Sequence, residues 1–415
     1  MSDRDRDRDN PPRYINTRSH RDHPVQDNKR RRLNDDDIIK IITNDITYDD
    51  YSRPDKNLEK VCPNPLCNHK KGTKVTKLKN FELNSIQDLI KIGKTYHCRE
   101  NRSYNGVDLE VLCKLVEPLT KLDSLVGMHQ VKNNILNQIV FFLQKFNERK
   151  RCGNCSNCLY DLKCNQKNNP DMLHTVITGP PGVGKTNLGK VLAQLYTKMG
   201  ILSKGHFTVV NRSDLIAKYL GQTAIKTQKV IDSCRGGVMF IDEAYSLGSA
   251  ENRDSFAKEC IDTLNLNLTE RRDFIVIIAG YKENLDSCFF AQNQGLSRRF
   301  PFRYHIDGYT NTELSEIFIT KVKQEEWSID KSPETRTGLD KLFKDNYNDF
   351  PNYGGDIETL FLNCKITHSK RILFKSVDLK RILTIDDIKN GFDCFCKNKI
   401  TKEEDDRTSI NFMYM

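Results

Sequence analysis

The eight residues Gly179-Pro180-Pro181-Gly182-Val183-Gly184-Lys185-Thr186 constrain this chain more than any other stretch. They fit the pattern G-x-x-x-x-G-K-[ST]. An apolar run, LHTVIT, precedes them and a helical pattern follows. That strand–loop–helix setting is the one in which the motif cradles phosphate. Glycines let backbone N–H groups curl around phosphate oxygens, and the helix N-terminus adds partial positive charge. Lys185 is placed to reach β- and γ-phosphates, and the Thr186 hydroxyl to ligate Mg²⁺. The helix is legible from Leu188, Val191, Leu192, Leu195, Tyr196 and Met199 on one face, with Gly200 as a stop.

A second apolar run, Val238-Met239-Phe240-Ile241, ends in Asp242-Glu243. A buried strand would deliver both carboxylates to the edge of a sheet. Asp242 is expected in the Mg²⁺ shell, and Glu243 is expected to orient and polarise an attacking water. Further strand-like runs, FTVVN, FIVIIAG and RYHI, alternate with helical patterns. This alternation predicts an α/β fold, a parallel sheet with flanking helices. From about Thr310 the strands cease, and ELSEIFITKV, TGLDKLFKDNY, IETLFLNCKI and IDDIKNGFDCF predict a helical appendage.

At this point the chain resembles the CbbX/CfxQ family of AAA+ ATPases, including its sporulation-protein-K-like branch. The residues that carry the resemblance are LDSLVGMHQVK (122–132), GPPGVGKT (179–186), SDLIAKYLGQTAIKT (213–227), GGVMFIDEAYSL (236–247), AGYKENLD (279–286) and NQGLSRRF (293–300). The resemblance implies an AAA+ P-loop core with a C-terminal helical lid and Mg²⁺-dependent ATP hydrolysis. It also implies a homo-oligomeric, usually hexameric, ring that pulls on a protein substrate. Tyr219-Leu220-Gly221 falls where the family has its pore loop; by pattern alone Tyr219 would more often be a core residue of an amphipathic helix. Arg298-Arg299 falls at the family's arginine finger, with Arg299 aligning best. Two departures stand out. Ala279-Gly280-Tyr281 occupies the place where many AAA+ proteins carry a polar sensor, with Asn284 slightly beyond. No arginine stands directly after Gly354-Gly355 in the lid, and Lys365 and Arg371 are the candidate substitutes. Asn211, ending the second strand, is a candidate switch contact for Glu243.

The remaining expectations concern the flanks. Residues 1–55 read as a disordered charged tail containing the basic cluster Lys29-Arg30-Arg31-Arg32, and 56–117 as a Cys/His-containing accessory segment. The core is expected over 118–307, the lid over 308–400, and a flexible tail over 401–415. Cys152, Cys155, Cys158 and Cys164 form an insertion at 150–170 whose spacing suits a tetrahedral Zn²⁺ site. An iron–sulfur cluster and free thiols are the alternatives. Cys62, Cys67, His69, His97, Cys98 and Cys113 are a second set, read as either zinc ligands or ordinary cysteines and an exposed histidine. The absence of a long apolar run excludes a membrane span. The N-terminus lacks the apolar core of a secretory signal. An intracellular protein is expected, cytoplasmic, or nuclear if the basic cluster is a localisation signal. The formal charge of +10 permits nucleic-acid contact. A clamp-loader-like factor is therefore the alternative function, followed by a nucleotide-dependent non-catalytic scaffold.

Overall fold

The computed structural model describes residues 83–96, 103–104, 106–146, 173–219, 221–248, 254–293 and 295–413. The tail with Lys29–Arg32 lies outside them. So do Cys62, Cys67, His69, His97, Cys98 and the whole Cys152–Cys164 cluster, whereas Cys113 lies within them, half-buried in a helix.

The described chain begins with helix α1 (Ile86–Lys94), a short antiparallel pair β1 (Ser103–Tyr104) and β2 (Val107–Asp108), and helices α2 (Leu109–Ser124) and α3 (His129–Leu143). Ser85 caps α1, its hydroxyl accepting from the Asp88 N–H. Gly93, the last residue but one of α1, lets α2 come close: a side chain there would lie 2.8 Å from the Leu112 carbonyl oxygen of α2. Helix α2 runs through residue 117 without a break.

The central elements are β3 (Thr175–Thr178), α4 (Lys185–Lys198), β4 (Phe207–Val210), α5 (Arg212–Leu215), α6 (Thr223–Ser233), β5 (Val238–Ile241), α7 (Ser255–Glu270), β6 (Ile275–Gly280) and β7 (Phe302–His305). The five strands pair in the order β4-β5-β6-β3-β7, all parallel. Strand period divides their side chains between two cores. Ile177, Val238, Phe240, Ile275 and Ile277 enter one apolar cluster with α2, α3 and α4. Val176, Met239, Ile241, Val276 and Ile278 enter the other with α6 and α7. Burial on both faces explains why β3, β5 and β6 read as continuous apolar runs rather than alternating ones.

The lid follows as α8 (Asn311–Gln324), β8 (Ser328–Ile329), α9 (Pro333–Asp345), α10 (Gly354–Ile372), β9 (Ile382–Leu383) and α11 (Ile385–Met413). Thr310 and Glu313 close a capping box at the start of α8. Phe318, Phe343, Phe350 and Phe361 are fully buried at its centre. Among the described residues no helix is long and apolar enough to cross a membrane.

Candidate nucleotide site

The chain leaves β3 to one side for β4 and returns to its other side at β7, so β3 is the point where the strand order reverses. The crevice beyond the carboxyl end of such a strand is where open α/β sheets hold ligands. The glycine loop fills it. Gly182 has φ +71°, and a methyl group there would lie 1.8 Å from the Asn352 carbonyl oxygen. Only glycine meets both demands, the backbone angle and the closeness of the lid. Gly184, at φ +86°, immediately precedes α4 and leaves the helix N-terminus facing the loop.

Lys185 opens α4. Its Nζ donates to the Gly179 and Pro180 carbonyl oxygens at 3.0 and 2.8 Å. The ammonium also sits 5.4 Å from the centre of the Tyr281 ring. Burial lowers its pKa below the ordinary lysine value, and the charges of Asp242 and Glu243 partly oppose that shift. Thr186 donates from Oγ1 to Oδ2 of Asp242 at 3.3 Å. The loop and the acidic pair, 56 residues apart in the chain, therefore meet at one corner. A hydroxyl and a carboxylate converging at that range fit a hard, oxygen-liganded divalent cation such as Mg²⁺.

Glu243 takes the left-handed conformation, φ +47° and ψ +47°, which is uncommon for a side chain of its size. Its N–H bonds to Asp242 Oδ1 at 3.1 Å. Tyr245 lies beside it. Burial first, then the charge of Glu243 and a hydrogen bond to it, push the Tyr245 hydroxyl up to about 12. Tyr245 and Tyr281 face each other with ring centres 5.8 Å apart. The place of a polar sensor at the end of β6 is thus taken by an aromatic ring turned to the lysine. Among the described residues no hydrogen bond joins Asn211 to Glu243; the Asn211 N–H instead bonds Asp214 Oδ2 at 2.8 Å.

The lid closes the other side of the loop. Gly354 N–H donates to the Gly182 carbonyl at 3.1 Å. The Tyr309 hydroxyl donates to the Val183 carbonyl at 2.8 Å, and the Tyr347 hydroxyl to the Tyr309 carbonyl at 2.8 Å. Tyr353 has φ +43° and ψ −109° immediately before α10. Lys365 and Arg371 do not reach this corner. They lie about 16 and about 25 Å along α10 from Gly354, at 1.5 Å per residue. Each has its own partner, Glu325 Oε2 at 2.8 Å for Lys365 and Asp387 Oδ2 at 2.7 Å for Arg371.

Tyr219 is 70% exposed in the turn between α5 and α6, so it is not a core residue. Leu220 lies outside the described residues. Gly221 follows at φ +76° with open space around it. Arg298 and Arg299 end a single helical turn, Leu296–Arg299. Arg299 donates to Thr269 Oγ1 at 3.2 Å and to the Gly295 carbonyl at 2.7 Å. Arg298 is exposed, and its side chain makes no hydrogen bond or ion pair among the described residues.

Sequence reasoning assigned nothing to Tyr245, Tyr309, Tyr347 or Tyr353, and did not foresee Tyr281 against the lysine. The available signals were positional: Tyr245 lies three residues past Asp242, and Tyr353 precedes a glycine pair.

The fold, the phosphate loop and the acidic pair define a class, and the comparisons agree. The model of the ATPase family associated with various cellular activities matches residues 175–304. The chain is 37% identical to a cfxQ-like protein of Acanthamoeba polyphaga mimivirus, over 93% of this chain and 91% of that protein. It belongs to the CfxQ-like family of AAA ATPases. Stage V sporulation protein K of Bacillus subtilis is 35% identical over 52% of this chain and 62% of its own length. The chloroplastic ribulose bisphosphate carboxylase/oxygenase activase of Cyanidioschyzon merolae is 34% identical over 53% of this chain and 71% of its own.

Proposed function

We propose that this chain hydrolyses ATP with Mg²⁺ and, as a hexameric ring, uses that hydrolysis to pull on a protein substrate. The observation that carries the reading is the meeting of Lys185, Thr186, Asp242 and Glu243 at the carboxyl ends of β3 and β5. Loop N–H groups and Lys185 bind the phosphates, for which Lys185 exchanges its two loop carbonyls. Thr186 and Asp242 hold Mg²⁺, which supplies charge neutralisation at the β- and γ-phosphates. Glu243 orients a water and accepts its proton, and Tyr245 holds the Glu243 side chain in place.

A guanidinium from the neighbouring subunit stabilises charge on the transferred group. Arg299 aligns with the family's finger, but in this role it exchanges Thr269 and Gly295 for phosphate. Arg298 is already unengaged. Tyr219 lines the pore, where an exposed ring grips an extended chain without reading its sequence. The likeness to an activase supports remodelling of a protein rather than a nucleic acid. The core is proposed over 118–307 and the lid over 308–400. A zinc site is proposed for Cys152, Cys155, Cys158 and Cys164, with about one zinc per chain expected on metal analysis.

The test separates the parts. Lys185→Ala abolishes nucleotide binding, Glu243→Gln binds ATP without turning it over, and Tyr219→Ala hydrolyses ATP but moves no substrate. Undiminished hydrolysis in Glu243→Gln would overturn the assignment of the base.

A further inference from the structure

A groove in the lid takes no part in the chemistry above. It has a volume of about 380 Å³ and lies between the C-terminal end of α8, the strand β8 and the first turns of α9. Its floor is apolar, with Val322 and Leu339 buried and Trp327 half-buried. Its rim is cationic. Lys323, Lys331 and Arg336 are all exposed there, against a single carboxylate, Asp330, among the lining residues. The ammonium groups of Lys323 and Lys331 have no hydrogen bond or ion pair among the described residues. Arg336 meets only the edge of Asp340, at 3.4 Å.

The backbone of the same groove is also half-used. Ser328 N–H donates to the Arg381 carbonyl at 2.8 Å, and Asp330 N–H to the Leu383 carbonyl at 2.9 Å. Alternate residues of a strand turn their groups to opposite edges. Ile329, between these two, therefore turns its N–H and C=O away from β9. Among the described residues β8 pairs with β9 alone. Three demands thus coincide: backbone partners for an edge, an apolar side chain for the floor, and negative charge for the rim. A small anion meets only the last two.

We propose that this groove takes an extended acidic segment of a partner protein. The segment adds a strand along β8, sets an apolar side chain on Trp327 and Leu339, and lays its carboxylates against Lys323 and Lys331. Main-chain bonds hold it and the rim selects its charge. Because the rim is exposed, the attraction weakens as salt rises.

The probe is a fluorescein-labelled nine-residue peptide of alternating leucine and glutamate, titrated with the full chain by fluorescence anisotropy. Saturable binding is expected, weakening at least tenfold in the double variant Lys323→Glu, Lys331→Glu. ATP hydrolysis unchanged in that variant shows that its lid is folded. Leu339→Ala, scored the same way, keeps the floor testable if the charge variant fails to fold. A peptide N-methylated at its central amide is expected to bind at least tenfold more weakly, and a leucine–lysine counterpart not at all. Lack of saturation, equal binding of the lysine peptide, or unchanged affinity in the groove variants would overturn the proposal. Undiminished binding of the N-methylated peptide, or its parent's displacement by an equal concentration of octanoate, would assign the groove to small anions and overturn it equally.

Discussion

The nucleotide corner and the centre of the lid both bury charge, and they do so in opposite ways. In the lid, Asp387 is 3% exposed and every side of it is engaged. Arg371 grips it through Nε and Nη2 at 2.9 and 2.7 Å. His368 Nδ1 lies 3.0 Å from it, and Thr384 donates through both N–H and Oγ1. Burial alone would raise this carboxyl. The hydrogen bonds from Arg371, His368 and Thr384 outweigh it and hold the group well below the usual carboxylate range. At the nucleotide corner, Lys185 rests on two carbonyls of its own loop, and Glu243 sits in a rarely used backbone conformation. The lid network is complete as it stands. The corner is held by bonds that a phosphate can replace. The comparison shows that a charge withdrawn from water, fully at Asp387 and half at Lys185, can serve rigidity in one place and exchange in another, depending on whether the partners are fixed side chains or replaceable backbone groups.

The sharpest way to break the contrast is at Glu243. Glu243→Gln is expected to slow hydrolysis by roughly 10³-fold while leaving thermal stability unchanged, since a general base contributes about 10² to 10⁴. Steady-state turnover and a melting curve on one preparation check both halves. The lid counterpart is Asp387→Asn. It leaves Arg371 with a poorer partner in a buried setting, and a loss of roughly 3 kcal/mol in unfolding free energy is expected. Urea titration measures it.

The same network makes an acid prediction. The folded carboxyl binds its proton less readily than the unfolded one. Its stabilisation is therefore full above about pH 4, the unfolded value, and is lost as pH falls further. The wild-type lid should lose more stability between about pH 4 and pH 2 than the Asp387→Asn variant does. Parallel melting points across that range decide it.

Gly182→Ala joins the two regions. The new methyl group meets the Asn352 carbonyl, and the backbone angle costs about 1–2 kcal/mol. Weaker nucleotide binding and a displaced lid are expected together, readable by titration calorimetry and by hydrogen exchange at Gly354. The smallest effect is expected from Tyr245→Phe. Loss of one hydrogen bond to Glu243 costs about 1 kcal/mol, or a few-fold in turnover. A turnover loss as large as that of Glu243→Gln would show that Tyr245 has a larger part in the reaction than positioning.

Much of this was legible in the sequence. The loop of residues 179–186 is contiguous, so its chemistry can be read in one place. The inner strands announce themselves because burial on both faces makes them continuous apolar runs, VMFI and IVIIAG above all. Arg299, held by Thr269 and Gly295, and Arg298, left unengaged, are adjacent and chemically identical. Only their surroundings separate them.

Sequence by itself determined the class of chemistry and the layers of the fold, because both depend on residue type and on spacing along the chain. Tertiary structure alone decided that Tyr281 faces the lysine, that the lid's Gly354 bonds the loop's Gly182, and that Arg371 is spent on Asp387 rather than on a nucleotide. The physical reason is distance along the chain. These partners are 16 to 172 residues apart, and a hydrogen bond or a ring contact needs them within a few ångströms, which only the packed sheet and helices can arrange.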